Sequence, residues 1–390
     1  MSKMRVLVVH NRYQSPGGED AVVEDEIGLL GSRGHEVELY LRDNRELRDT
    51  SALDAFTRAI WARDASDDLK RIFKRFKPDI VHVHNTFARV SAAVHWAAAA
   101  AGIPVVQTLH NFRLLCVQAM FLRAGRVCED CLGRTPWRGA FRKCYHGSGS
   151  QSAALAAMVA VHRALGTYRS KITRYIALTD FCRDKFILGG LPAERIMVKP
   201  NFVDVARPRQ ATRGGALFVG RLAPEKGIDT LIAALNELPG ISLDVIGDGP
   251  ERPKLCAHPR VRWLGWRPAH EVREHMARAS YLVMPSLWYE NFPRTLVEAF
   301  ASGLPVIASR LGALQELVDH GFTGLLFDPG SASGLAGQMR WAESQSERMR
   351  CLGEYARAKY EVEFTPAVNY DRLIAIYQDA IAATRTRAAA

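Results

Sequence analysis

Glu290 and Glu298 flank the segment Glu290-Asn-Phe-Pro-Arg-Thr-Leu-Val-Glu298. Two carboxylates at this spacing are acceptors suited to holding hydroxyls. The apolar run Tyr281-Leu-Val-Met-Pro285 precedes them and reads as a buried strand. Pro293 suits the first position of a following helix, and Gly303 suits its end. Glu290 then falls in a strand-to-helix loop, at the carboxyl edge where open α/β sheets bind ligands. Glu298 falls just over a turn inside the helix. A helix start offers unpaired N–H groups and a positive dipole end, which suits phosphate. Sugar hydroxyls, a diphosphate and ribose hydroxyls follow one another in this way in a nucleotide sugar.

A second segment, Leu217-Phe-Val-Gly-Arg-Leu-Ala-Pro-Glu-Lys-Gly227, reads as strand, loop and helix start. Arg221 offers a planar fork for phosphate and Lys226 a compact charge. Together they would neutralise a diphosphate without a catalytic metal, and the chain contains no Asp-x-Asp triplet of the kind that holds metal and diphosphate.

The same chain carries Asp79-Ile-Val-His-Val-His84, Thr108-Leu-His110, Pro200-Asn-Phe-Val-Asp204 and Gly321-x2-Gly-Leu-Leu-Phe327. With Glu-x7-Glu and Gly-Arg-Leu-x-Pro-Glu-Lys-Gly, this ordered series resembles the retaining glycosyltransferases of family four, of GT-B fold, over nearly the whole chain. The resemblance implies that Arg221 and Lys226 hold the donor diphosphate. Glu290, helped by the N–H groups of Asn291 and Phe292, would hold donor-sugar hydroxyls, and Glu298 the ribose. The N–H groups of Thr295 and Leu296 would meet phosphate. His110 would reach donor sugar and acceptor, and the Gly17-Gly18 loop would lie near acceptor and phosphate. Asn201 would sit at the hinge on the acceptor side. Trp266 reads either as a neighbour of the base or as a core aromatic. His82 and His84 share a strand face and are given no catalytic role. Taken singly, each of these residues reads equally well as a turn, a cap or core. Retention at the anomeric carbon would proceed by front-face attack, the leaving phosphate taking the acceptor proton, or by a carboxylate nucleophile and two inversions. The resemblance turns Glu290 toward hydroxyls rather than the anomeric centre.

The elements that position these residues alternate between strand and helix, which points to parallel sheets covered on both faces. Strands are expected at Arg5–His10, Glu36–Leu41, Asp79–His84, Pro104–His110, Tyr175–Thr179 and Ile196–Pro200. A second set covers Leu217–Gly220, Ser242–Gly247, Val261–Gly265, Tyr281–Pro285, Pro305–Ser309 and Gly324–Phe327. Helices are expected at Asp20–Leu30, Ala153–Leu165 and Tyr370–Ala383. The stretch from Arg207 to Gly215 reads as a linker. The fold class is therefore α/β with two Rossmann-like domains. Residues 1–204 form an acceptor domain with a cysteine-rich insertion at about 111–150, and residues 205–364 a nucleotide-sugar domain. The resemblance implies a cleft between the two, with residues 365–390 forming a helix that crosses back to the first.

The 390 residues are 48% hydrophobic and carry a net charge of +11, with pI about 9.4. No apolar run is long enough to span a bilayer, and the N-terminus enters a strand without a signal-peptide pattern. A cytoplasmic protein is expected. Arg134-Thr-Pro-Trp-Arg-Gly-Ala-Phe-Arg-Lys143 interleaves rings and charges as a membrane interface would. Peripheral contact with anionic lipid at the inner face of the membrane is expected. Nucleic acid is not, since no helix-turn-helix, finger or RNA-module pattern occurs. Cys116, Cys128, Cys131 and Cys144 fall in the insertion around a Cys-x2-Cys core. They read as a structural zinc site, with His146 as a substitute ligand, or as four unligated thiols. Metal is favoured over disulfide in a reducing compartment.

The expected function is transfer of a sugar from a nucleotide-diphosphate sugar to a glycan or polyprenyl-linked acceptor, in cell-surface polysaccharide or glycoconjugate synthesis. A non-catalytic sugar-nucleotide-binding protein and a sugar-nucleotide epimerase are the alternatives on the same fold. Intact Arg221, Lys226, Glu290 and Glu298 weigh against both.

Overall fold

In the first strand, Arg5–Arg12, Val6 to Val9 are all at most 1% exposed, a continuous apolar run of the kind found where a parallel sheet is covered on both faces. The computed structural model describes residues 3–13, 17–47, 52–207 and 213–389, so residues 208–212 of the expected linker lie outside the description. In chain order the strands are β1 Arg5–Arg12, β2 Glu36–Asp43, β3 Ile80–Val83, β4 Val105–Thr108, β5 Leu122–Arg123, β6 Arg126–Val127, β7 Arg174–Ala177 and β8 Ile196–Val198, followed by β9 Ala216–Val219, β10 Leu243–Ile246, β11 Val261–Gly265, β12 Tyr281–Met284, β13 Val306–Ser309 and β14 Gly324–Phe327.

The chain divides into two compact units. Unit 1 comprises Met1–Ala119, Glu129–Pro200 and Asn369–Ala390, and unit 2 comprises Met120–Cys128 and Asn201–Val368. The divisions thus fall at 200/201 and 368/369, where the sequence suggested 204/205 and 364/365. Residues 120–128, which carry the antiparallel β5–β6 hairpin, group with unit 2.

Unit 1 holds a parallel sheet of order β2-β1-β3-β4-β7-β8. The order reverses between β1 and β3, so its ligand crevice is expected beyond their carboxyl ends. Helix Gly18–Ser32 follows β1 and buries Asp20, Val22, Val23, Glu26, Leu29 and Leu30. The final helix, Pro366–Ala389, belongs to unit 1 from Asn369 onward. Long-range hydrogen bonds fix it there: Tyr370 Oη to His35 Nε2 (2.8 Å), Tyr377 Oη to His82 Nδ1 (2.7 Å), and Asn369 Nδ2 to the Pro200 carbonyl (2.6 Å).

Unit 2 holds a parallel sheet of order β11-β10-β9-β12-β13-β14. Its reversal lies between β9 and β12, the two strands whose following loops carry Arg221 and Lys226, and Glu290. The core beneath packs Phe218, Leu231, Val245, Tyr281, Val283 and Ile307. Pro293 is the extended N-cap of helix Arg294–Ala301 rather than its first residue, and Gly303, in the left-handed region at φ 63°, follows the C-cap Ser302.

Candidate active site

In unit 2 the two loops are locked together before any side chain is considered. Gly227 has φ 73°, and a Cβ there would stand 1.9 Å from the Pro285 carbonyl oxygen. Only glycine permits that approach. Leu287 N–H donates to the Glu225 carbonyl (2.8 Å), which joins the β9 loop to the β12 loop.

Glu290 is 5% exposed. Its Oε1 accepts from Lys226 Nζ (2.6 Å), Ser286 Oγ (2.7 Å) and Trp288 Nε1 (3.0 Å). Three donors on one oxygen fix the carboxylate's orientation, and its remaining lone pairs can still accept from sugar hydroxyls. Arg221 pairs with the buried carboxylate of Glu225, while its own side chain is largely exposed. Arg294 Nε donates to Glu298 Oε1 across one helical turn (3.2 Å). Lys226, Glu290, Arg221 and Glu298 therefore lie on the loops and helix start around the β9–β12 reversal.

Other predicted donor residues fit less well. Leu296 N–H donates to the Pro293 carbonyl (3.0 Å). Thr295 lies in the first turn, where intrahelical acceptors are lacking. Asn291 and Phe292 are buried, and the Phe292 ring packs edge-on against Phe364 at 5.9 Å. Its backbone is the part left for a ligand. Trp266 is 75% exposed, which overturns its reading as a core aromatic. Asn201 is buried at the start of unit 2.

In unit 1, Gly17 is the extended N-cap of helix Gly18–Ser32, and open space would surround a Cβ at either Gly17 or Gly18. Neither glycine is needed for positive φ or tight packing. Asp20 Oδ2 accepts from Gly17 N–H (2.9 Å) and Oδ1 meets His10 Nε2 (2.8 Å). Burial would raise the Asp20 pKa, but these two bonds hold it below the usual value.

Behind them runs a buried polar chain. Lys199 Nζ donates to Glu26 Oε1 (2.6 Å), and Glu26 Oε2 faces His82 and His84 at 3.6 and 3.5 Å. Burial opposes the Glu26 charge, yet the Lys199 ammonium holds its pKa below the usual carboxylate value. His82 meets Tyr377 Oη through Nδ1 and Thr108 Oγ1 (2.8 Å) through Nε2. His84 Nδ1 meets His110 Nε2 at 2.9 Å. Burial depresses both His82 and His84, and lowers His110 to about 3, so all three imidazoles are neutral. One of the two nitrogens in the His84–His110 contact carries the proton, so His84 selects the tautomer His110 presents.

Glu26, His82 and His84 form the one His/Cys/Asp/Glu trio, among the described residues, whose ligating atoms lie within 4.8 Å of one another. It suits a metal poorly, because Lys199 already supplies the charge and both His82 nitrogens are engaged. No three of Cys116, Cys128, Cys131 and Cys144 meet that distance. Instead Lys185 Nζ donates to Glu129 (2.5 Å), and Arg163 donates to the carbonyls of Arg134 (2.6 Å) and Leu114 (2.9 Å), tying the insertion down.

Sequence reasoning missed Glu26, Lys199, His84 and the residues around Arg113. One signal was available: Glu26 stands at helical spacing from Val23 and Leu29, a charge on the core-facing stripe.

Two family profiles match adjoining stretches of the chain: Glycosyltransferase Family 4 over residues 16–207 and Glycosyl transferases group 1 over residues 206–359. An exopolysaccharide phosphotransferase of Streptomyces coelicolor is 34% identical over 181 residues, 43% of this chain and 19% of that protein. The amylovoran biosynthesis glycosyltransferase AmsK of Erwinia amylovora is 29% identical over 226 residues, 52% of this chain and 55% of that protein. The match thus spans about half or less of these relatives. Among solved structures, Anabaena HepE in complex with UDP and glucose aligns over 95% of this chain and 98% of its own, with TM-score 0.67 and 19% identity, and so shares the fold.

Proposed function

Because the chain belongs to the family 4 glycosyltransferases, of GT-B fold, we propose that it moves a sugar from a nucleoside-diphosphate donor to a glycan or polyprenyl-linked acceptor in polysaccharide or glycoconjugate synthesis. The observation that carries this reading is the 2.6 Å contact of Lys226 Nζ with Glu290 Oε1. It joins a phosphate-holding cation and a hydroxyl-holding carboxylate in one pair of loops. A UDP donor is the first to test, since HepE is described with UDP and glucose.

Chemically, the bond from the anomeric carbon to the leaving phosphate oxygen breaks, and one to the acceptor oxygen forms. Front-face attack gives retention, with the acceptor proton passing to the leaving phosphate oxygen. Arg221 and Lys226 stabilise the charge that builds on the diphosphate, where fixed cations act most strongly. Glu290 orients the sugar, Glu298 the ribose, and neutral His110 offers a hydrogen bond near the transferred group. Diphosphate charge is met by Arg221 and Lys226, so the chemistry needs no metal.

Trp137, Phe141, Arg134, Arg138 and Lys143 are all exposed on the insertion. They support peripheral contact with anionic lipid on the cytoplasmic side, where such acceptors would be met. Among the described residues no helix is long and apolar enough to cross a membrane.

Thermal stabilisation by a panel of nucleotides and nucleotide sugars tests the donor site. One nucleoside diphosphate should raise Tm, with the shift lost in Glu298→Ala and Arg221→Ala. A folded protein that responds to no nucleotide would sink the reading.

A further inference from the structure

We propose that the unit 1 pocket beside His110 is a subsite for an acidic sugar, in which Arg113 grips an oxyanion and Gln107 accepts from a neighbouring hydroxyl. The inference rests on the transferase reading, since it describes the acceptor that unit 1 would hold.

The pocket opens at the carboxyl ends of β3 and β4, and with the solvent at its mouth it encloses about 550 Å³. His84, Gln107, His110 and Arg113 line it, with Phe87 and Met158 among its apolar walls. Three of these polar groups hold buried atoms without a hydrogen-bond partner: Gln107 Oε1, His84 Nε2 and Arg113 Nε. Gln107 and His84 are themselves more than nine-tenths buried. A buried polar atom left unpaired is costly; His84 Nε2 faces Glu26 Oε2 at 3.5 Å, so Gln107 Oε1 and Arg113 Nε are the two left for a ligand to satisfy.

Arg113 gives that ligand its charge. Its guanidinium lies over Phe87 at 4.3 Å and Tyr145 at 5.6 Å, which orients the fork. No ion pair joins it to a carboxylate among the described residues, and its nearest carbonyl contact, Val117 O, is long at 3.4 Å. The other cation of this region, Lys199, is already matched by Glu26. His84 and His110 are neutral. Glu19, the carboxyl electrostatically coupled to Arg113, is pushed up to about 8 by burial and by Asp20, so near neutral pH it keeps its proton and leaves the guanidinium unmatched. The oriented guanidinium is hydrogen-bonded to neutral groups, the Tyr13 hydroxyl and the Val117 carbonyl, and with no ionised partner its fork fits a carboxylate or a phosphate. Gln107 Oε1 cannot serve the oxyanion and therefore calls for a donor beside it, which a sugar hydroxyl provides.

The test uses the full chain with UDP at saturation, so that the donor loops are filled. Calorimetric titrations with glucose, glucuronate, glucose 6-phosphate and inorganic phosphate follow. At least one acidic sugar should bind about tenfold or more tightly than glucose, the size of one charge-assisted hydrogen bond. A preference for glucuronate identifies a uronate acceptor, and one for glucose 6-phosphate a phosphorylated acceptor. Arg113→Gln should erase the preference and Gln107→Leu should weaken the acidic sugar, both with UDP affinity unchanged. Should Arg113→Gln fail to fold, Arg113→Lys keeps the charge without the fork and should lose most of the preference. Glucose binding as tightly as both acidic sugars overturns the proposal, as does a preference that survives in Arg113→Gln. Inorganic phosphate matching glucose 6-phosphate overturns the part assigned to Gln107. An acidic-sugar preference found in a protein that does not bind UDP would leave this subsite standing and sink the donor reading instead.

Discussion

The two sheet reversals solve the same problem, presenting polar groups at the carboxyl ends of parallel strands, in opposite ways. In unit 2 the functional charges come matched and near the surface: Lys226 with Glu290, Arg221 with Glu225, and Arg294 with Glu298. A diphosphate bound there, as proposed, would exchange one partner for another, so little new charge would have to be desolvated. In unit 1 the corresponding wall is almost neutral. His82 and His84 are buried imidazoles and His110 a half-buried one, all without charge, and the ammonium–carboxylate pair of Lys199 with Glu26 lies fully inside. Perturbing unit 2 should therefore cost rate, and perturbing unit 1 should cost stability.

The largest effect should follow from Lys199→Met. Both partners of this pair are at most 1% exposed, so removing the ammonium strands a buried carboxylate. Losing one member of a buried pair costs about 3–5 kcal/mol. Urea unfolding should show that loss, and Glu26→Met on the same background should restore most of it, because two apolar groups of similar volume replace the pair. A change in Lys199→Met smaller than about 1 kcal/mol, on the scale of an exposed pair, would break the contrast between the units.

That contrast also decides what could be read in the sequence. All twelve strands of the two sheets were legible, because most are apolar runs bounded by turn residues, while β2 and β11 mix apolar with polar residues. The positions of the proposed donor residues were legible too, since Arg221 with Lys226, and Glu290 with Glu298, stand close together in the chain, on loops and a helix. The network of unit 1 was not. Lys199 reaches Glu26 across 173 residues and Tyr377 reaches His82 across 295, and no local spacing announces such pairs. Glu290 shows the limit on the donor side: its spacing to Glu298 was visible, but its bonds to Ser286 and Trp288 depend on how the β12 loop turns. The four cysteines show a different limit. Their spacing suggested a metal, while the chain around them is held by Lys185, Arg163 and backbone carbonyls.

A second effect, on rate rather than fold, is expected from Lys226→Ala. Removing one fixed donor from a developing oxyanion commonly costs on the order of 100-fold in kcat, equivalent to about 2.7 kcal/mol of barrier. Nucleoside diphosphate release from the matching donor measures it. Tm should move little, because Lys226 is partly exposed and Ser286 and Trp288 still hold Glu290. A large Tm loss with kcat intact would show that this pair too is structural.

The smallest effect is the most diagnostic of unit 1's neutrality. An unfolded Glu19 is ionised above about 4.5, whereas in the folded protein it keeps its proton up to about 8. Between those values the folded state binds the extra proton, so stability falls as pH rises. The histidines act the other way. Unfolded imidazoles gain protons below about 6.5, while folded His82, His84 and His110 do not, so stability falls as pH drops from there. Stability should peak near pH 6.5 and decline by about 1–2 kcal/mol toward pH 8, allowing for the 12% exposure of the Glu19 side chain. Glu19→Gln keeps the shape and removes the titration, so its stability should stay level from pH 6.5 to 8 while the acid limb remains. Parallel curves for the two proteins on the alkaline side would mean that Glu19 is ionised in the folded state. Arg113 would then have its counter-charge, and unit 1 would be built from matched charges, as unit 2 is.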